Sequence, residues 1–207
     1  MNVFDIIGPI MVGPSSSHTA GAVRIGRIAR ALLNEEPCKV QITFHGSFAR
    51  TYKGHGTDKA ILGGLLGMRP DDRRIKDSLE LAKQMGMSYC FKTADLGDVH
   101  PNTVLISTMG SSREKLEVLG SSVGGGNVLI RRVNGLEVDF TGANNTLLVF
   151  HRDTPGAVAA VTQLLAREGI NIAQMKVFRF YRGGNAVMVI ETDQSVQYGL
   201  TEIFQRG

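Results

Sequence analysis

Apolar residues return at helical spacing soon after a run of small polar ones near the start of the chain. Ile25, Ile28, Ala29, Leu32 and Leu33 share one helix face, and Thr19 ahead of them is a capping type. The pattern predicts a helix from Thr19 to about Leu33 with that face buried. Lys39 to His45 alternates as a strand does. Further helices are predicted from Thr57 to near Gly67 and from Ile75 to Met85. Short strands follow at about Ser88–Lys92, Thr103–Met109, Val128–Val133 and Glu137–Phe140, with Lys115–Leu119 a further candidate. Helices first and strands later describe an α+β layered domain rather than a doubly wound sheet.

From Thr146 the rhythm becomes regular. Thr146–Phe150 is an apolar strand, and Thr154-Pro155-Gly156 turns the chain into a helix with Ala157, Val158, Val161, Leu164 and Leu165 on its inner face. Pro155 suits a first helical turn. Gly169 ends that helix, Ile170-Asn171-Ile172 opens the next strand, and Arg182-Gly183-Gly184-Asn185 joins it to Ala186–Glu191 as a hairpin. A last helix is expected from Ser195. The order is βαββα, ferredoxin-like but one strand short of the split βαβ sandwich. Thr141-Gly142-Ala143-Asn144-Asn145 has linker composition, which predicts two domains, residues 1–143 and 146–207.

Composition narrows the class. With 43% hydrophobic and 20% charged residues the chain can bury a core. Its net charge of +4 comes from 23 Lys and Arg scattered among 19 Asp and Glu. No basic block or helical stripe stands out, which argues against nucleic acid as a partner. No leader is evident, and no apolar run is long enough to span a bilayer, so a soluble cytoplasmic protein is expected. Cys38 and Cys90 have no metal-ligand spacing and read as small buried apolar residues.

Two constellations carry candidate chemistry. In Gly13-Pro14-Ser15-Ser16-Ser17-His18-Thr19, three serines, a histidine and a threonine precede a helix. Hydroxyls beside unpaired helix amides suit a carboxylate or phosphate; the plainer reading is a polar loop in which Thr19 only caps the helix. In His45-Gly46-Ser47-Phe48-Ala49-Arg50-Thr51-Tyr52-Lys53-Gly54-His55-Gly56-Thr57-Asp58, His55 lies between two glycines before a helix capped by Thr57. Asp58 could orient its imidazole, or both could be ordinary loop and helix-start residues. His100-Pro101-Asn102 reads as a strand entrance. Ser122-Val123-Gly124-Gly125-Gly126-Asn127 is either a tight connection or an anion-binding nest.

These motifs, together and in this order, resemble the β domain of the bacterial iron–sulfur L-serine dehydratases. The resemblance implies an enzyme that converts L-serine to pyruvate and ammonia. It also implies an α chain whose cysteines ligate a [4Fe–4S] cluster, and no metal ligand in this chain. There, iron polarises the substrate hydroxyl while a base removes the α-proton. His55 is the expected base, oriented by Asp58 or by a partner group, and His18 with Ser15, Ser16, Ser17 and Thr19 is expected to hold the substrate carboxylate or to close the shared active site. The second region resembles an ACT domain, a regulatory module that binds amino acids. His151, Asp153 and Asn171 match the serine-binding positions of phosphoglycerate dehydrogenase ACT domains, which carry Asn where Asp153 stands. The resemblance implies an amino-acid effector, with L-serine the first candidate, and self-association through paired ACT domains. The module's last strand is not evident before Gly207, so truncation or a partner's edge is expected to account for it. The rival reading is a non-catalytic amino-acid- or anion-sensing module related to the allosteric domains of phosphoglycerate dehydrogenase. A pyridoxal-phosphate dehydratase is disfavoured, because no Schiff-base lysine stands beside a phosphate-binding glycine loop.

Overall fold

A computed structural model of the chain describes residue 11, residue 13 and residues 15–196. It divides into two compact units, Met1–Asn134 and Gly135–Gly207. In the first unit a single π turn, Ser16–Gly21, runs straight into α1 (Ala22–Leu33). Ala22, Val23, Ile25, Gly26, Ala29 and Leu33 form the buried face of α1, and Asn34 ends the helix in the left-handed conformation. Then come β1 (Pro37–Phe44), α2 (Gly46–His55), α3 (Thr57–Leu65), a 3₁₀ turn (Arg73–Asp77), α4 (Ser78–Gln84) and β2 (Ser88–Thr93). The strands β3 (Thr103–Gly110), β4 (Lys115–Gly124) and β5 (Asn127–Val133) complete the unit.

Its strand order is β2-β1-β3-β4-β5. β1 and β2 are parallel, and the other neighbours are antiparallel. Helix α1 packs on β4, and α1 crosses α3 closely enough that a Cβ on Gly64 would stand 2.2 Å from the Val23 carbonyl oxygen.

Three expectations need correction here. The segment from Gly46 to His55 is a helix, α2, where sequence reasoning assigned no element. Only Phe48 is buried along it, so it carries almost no apolar periodicity to detect. Cys38 and Cys90 are both exposed rather than buried. β2 is the edge strand, and Cys90 pairs in register with Gln41, the neighbour of the buried Val40 and Ile42. Strand alternation therefore sends it to the face away from the core. The expected helix over Ile75–Met85 is split between the 3₁₀ turn, which Asp72 caps through Oδ1, and α4.

The second unit contains β6 (Leu136–Phe140), β7 (Asn145–Arg152), α5 (Ala157–Arg167), β8 (Ile172–Arg179) and β9 (Asn185–Thr192). β7, β9 and β8 form an antiparallel sheet in that order. Leu147, Val149, Met188 and Ile190 from the sheet meet Val161 and Leu165 of α5 in its core. The helix expected from Ser195, and any strand after it, lie outside the described residues. Among the described residues no helix is long and apolar enough to cross a membrane.

Candidate active site

The π turn is where the first constellation becomes three-dimensional. Ser15 is its N-cap: its Oγ accepts from the His18 amide at 3.2 Å and lies 3.2 Å from His18 Nδ1. This holds the imidazole over α2, where two side chains meet it. Phe48 packs edge-on at 5.2 Å between ring centroids, and His55 does so at 4.6 Å. Phe48 and His55 are seven residues apart, two helical turns, and so share a face of α2. The helix that the sequence did not reveal is thus what brings the two histidines together. Phe48 is the residue sequence reasoning missed, and its i,i+7 spacing from His55 was the available signal.

Burial, and then the neighbouring His55, push the His18 pKa below the usual histidine range. His18 is therefore a neutral imidazole at pH 7. Its Nε2 is buried without a partner among the described residues, and so is Thr19 Oγ1. A Cβ on Gly13 would stand 2.5 Å from that threonine hydroxyl, so only glycine allows this approach. Ser16 and Ser17 are half-buried on the same turn. His55 is exposed.

Asp58 does not orient His55, as had been expected. Gly56, at φ +69°, is both the C-cap of α2 and the N-cap of α3, and the chain changes direction there. His55 faces outward while Asp58 is buried, its Oδ1 accepting from the Lys59 amide at 2.8 Å. Desolvation raises the Asp58 pKa. Gly56 rather than Thr57 occupies the cap, and Thr57 Oγ1 is buried without a partner among the described residues.

His100-Pro101-Asn102 is the strand entrance expected, and it also fixes α2. The Pro101 carbonyl accepts from the Ser47 amide at 2.8 Å and the Phe48 amide at 3.4 Å, starting the helix. The glycine-rich segment is the β4–β5 turn, and Arg24 of α1 donates to its Gly126 carbonyl at 3.0 Å.

In the second unit the three expected effector residues do not converge. His151 lies opposite Ala186, which pairs with Arg179; Asn171 precedes Ile172, which pairs with Thr192. The two groups are thus at opposite ends of the sheet, roughly 20 Å apart at strand rise. Asp153 is engaged by Arg179 Nη1 at 2.7 Å and the Gly183 amide at 3.0 Å, which together hold its carboxyl below the usual range. His151 Nδ1 lies 2.6 Å from the Arg152 carbonyl oxygen, and the Asn171 amide group donates to Asp193 Oδ2 at 2.6 Å.

The chain does not fit an iron–sulfur cluster. A [4Fe–4S] cluster is held by several converging thiolates, whereas Cys38 and Cys90 are exposed and not in register on neighbouring strands. No group of three His, Cys, Asp or Glu side chains suited to a metal occurs among the described residues.

An α+β unit with paired imidazoles beside a hydroxyl-rich turn, followed by a ferredoxin-like unit, defines a chain that joins a candidate site to a small second module. The family model described as "Serine dehydratase beta chain" matches residues 2–95, and the model described as "ACT domain" matches residues 145–206. The chain is 48% identical over 195 residues to the probable L-serine dehydratase β chain of Bacillus subtilis, covering 94% of this chain and 88% of that one. It is 42% identical over 200 residues to the L-serine dehydratase β chain of Peptoniphilus asaccharolyticus, covering 96% and 90%. A D-3-phosphoglycerate dehydrogenase of Bacillus subtilis is 27% identical over 177 residues, which are 85% of this chain but 33% of that enzyme. The chain belongs to the serine dehydratase β-chain family and carries an ACT domain.

Proposed function

We propose that this chain is the β subunit of a cytoplasmic L-serine dehydratase, which converts L-serine to pyruvate and ammonia together with an α chain that carries a [4Fe–4S] cluster. The observation that carries this reading is the near-full-length similarity to two β chains so named. The His18–His55 pair gives it a chemical basis. Residues 1–143 are the catalytic module and residues 146–207 the ACT module.

This chain's task is to bind the substrate and move a proton. The α-proton of serine is weakly acidic, so a base must sit within hydrogen-bond reach of it. His55, exposed at the end of α2, takes that proton. His18, neutral and fixed by Ser15, packs against His55 without adding a positive charge that would oppose its protonation. The hydroxyls of Ser15, Ser16, Ser17 and Thr19 hold the substrate carboxylate. Loss of the proton and of the β-hydroxyl gives aminoacrylate, which becomes an imine and hydrolyses to pyruvate and ammonia. A purely sensory module would need the hydroxyl turn but no second imidazole beside it, so the pair favours the enzyme.

In the ACT module, His151 and Asp153 of one copy and Asn171 of another complete one effector site, with L-serine the first ligand to test. Their separation along a single sheet supports a site shared between paired copies.

The test is anaerobic L-serine turnover by this chain alone and with its α chain. Activity from the pair only is expected, with His55→Ala lowering kcat by about 10²–10⁴-fold, the usual worth of a general base. An assembled, cluster-loaded pair without turnover would overturn the enzyme reading, and full activity of His55→Ala would remove the base assignment.

A further inference from the structure

The glycine-rich β4–β5 segment has so far no part in the chemistry, yet its first residue carries an anomaly. Ser122 is fully buried, and its Oγ has no hydrogen-bond partner among the described residues. Ser121 next to it is equally buried, but its hydroxyl is 2.7 Å from Thr103 Oγ1. The fold can therefore satisfy a serine hydroxyl on this strand, and at Ser122 it does not. Buried polar atoms are nearly always paired, and one that is not calls for a ligand, a water or a functional reason.

Position supplies the reason. Ser122 Oγ is directed at the π turn: it stands 2.1 Å from the place a Cβ on Gly21 would occupy, so only glycine at 21 admits it. The same six-residue turn holds two more buried, unpartnered polar atoms, His18 Nε2 and Thr19 Oγ1. π turns inside helices recur at functional sites. The Arg24 bond to Gly126 and the Ser122 amide bond to Asn102 at 2.9 Å fix the end of β4 against α1 and the strand entrance. Ser122 is therefore held in place by its backbone while its side chain stays free to donate.

We propose that Ser122 is a further substrate-binding residue, its hydroxyl completing, with Thr19, the carboxylate subsite on the π turn. The proposal rests on the dehydratase reading. A donor without a partner among the described residues is a cost to folding that a bound carboxylate would remove, so stability and binding respond in opposite directions to its loss.

The experiment compares Ser122→Ala with Ser121→Ala, using the melting midpoint of the full chain and L-serine kinetics of the assembled two-chain enzyme. Ser122→Ala is expected to melt at or above wild type while KM for L-serine rises at least tenfold and kcat changes less. Loss of a carboxylate contact made in both ground and transition states gives this split. Ser121→Ala, which breaks a satisfied pair, is expected to melt lower with KM unchanged. A Ser122→Ala enzyme whose KM stays within twofold of wild type overturns the proposal, as does a melting midpoint that falls like that of Ser121→Ala. A wild-type pair without turnover overturns instead the reading beneath it, and is seen before any variant is made.

Discussion

A backbone-to-backbone helix contact in the first unit gives a sharp test of its geometry. Gly26 of α1 and Gly64 of α3 face each other with nothing but backbone between them. A Cβ on Gly64 would stand 2.2 Å from the Val23 carbonyl oxygen, 2.9 Å from the Arg27 nitrogen and 3.0 Å from the Gly26 Cα. One on Gly26 would stand 2.3 Å from the Ile61 carbonyl oxygen. Every one of these obstacles is main chain, so no side chain can swing aside and the helices must part by about 1 Å to reach ordinary contact distances of roughly 3.5 Å. Forcing a methyl into such a seam costs about 1–3 kcal/mol, here the upper end. Alanine's better helix propensity returns about 1 kcal/mol. Gly64→Ala should therefore destabilise the chain by about 2 kcal/mol, a fall of roughly 5–10 °C in melting midpoint. Gly54 in α2 is the control, because nothing lies within 4 Å of its added Cβ. There only the propensity gain of up to about 1 kcal/mol remains, and the midpoint should hold or rise. Thermal melts followed by circular dichroism read both. A Gly64→Ala chain that melts at or above wild type would show that α1 and α3 are not in this contact, and would undo the placement of the π turn that α1 carries.

Other outcomes follow from single residues. Burial raises the Asp58 pKa above its ordinary 3.8, so its contribution is favourable at low pH and is lost as pH rises through the folded value. Asp58→Asn should accordingly raise the melting midpoint at pH 7, with the gain shrinking toward pH 4; a lower midpoint at pH 7 would contradict a carboxylate whose burial outweighs its hydrogen bonds. His18 titrates below its ordinary 6.5, so its stability contribution is present above that pH and lost as pH falls through the folded value. His18→Gln should flatten the fall in midpoint between pH 7.5 and 5, and an unchanged slope would count against burial of this ring. Cys38 and Cys90 should both react with a thiol reagent in the folded chain, and protection of either until unfolding would contradict their exposure. If the effector site is shared between copies, mixing His151→Ala chains with Asn171→Ala chains should restore L-serine binding that neither shows alone, and failure of the mixture to bind would locate the site within one copy.

What the sequence made legible was whatever apolar periodicity or turn chemistry writes down. Helix α1, the strands and the run from β7 through α5 and β8 to β9 all carry alternation or a buried stripe, and they fold as read. Helix α2 does not: one buried residue in ten, with glycine at its first and ninth positions, leaves no stripe. It is held from outside, by the Pro101 carbonyl at its start and by stacking of Tyr52 on Phe44 at 4.6 Å. Asp58 went astray for a related reason. Spacing in the sequence places it three residues from His55, but the left-handed Gly56 ends one helix and starts another, so i,i+3 proximity does not apply across it. The effector residues matched by position and yet lie at both ends of a sheet, because a match in sequence does not fix how far apart the strands set them.

The unpaired polar atoms on and beside the π turn bear on why such a chain needs a partner. Without a partner among the described residues, His18 Nε2, Thr19 Oγ1 and Ser122 Oγ each forfeit a hydrogen bond that water would have given the unfolded chain, at about 1–3 kcal/mol apiece. A module selected only for stability would replace them with apolar atoms or pair them locally, as Thr103 and Ser121 are paired. Keeping three in one place makes sense if they are half of a site. On the reading proposed above, this chain supplies the carboxylate donors and the base, while the chemistry that loosens the hydroxyl belongs to the α chain. Each half is then inert toward serine by itself. L-Serine added to this chain alone should raise its melting midpoint by no more than simple carboxylate binding allows, and no pyruvate should form; pyruvate from the isolated chain would refute the division.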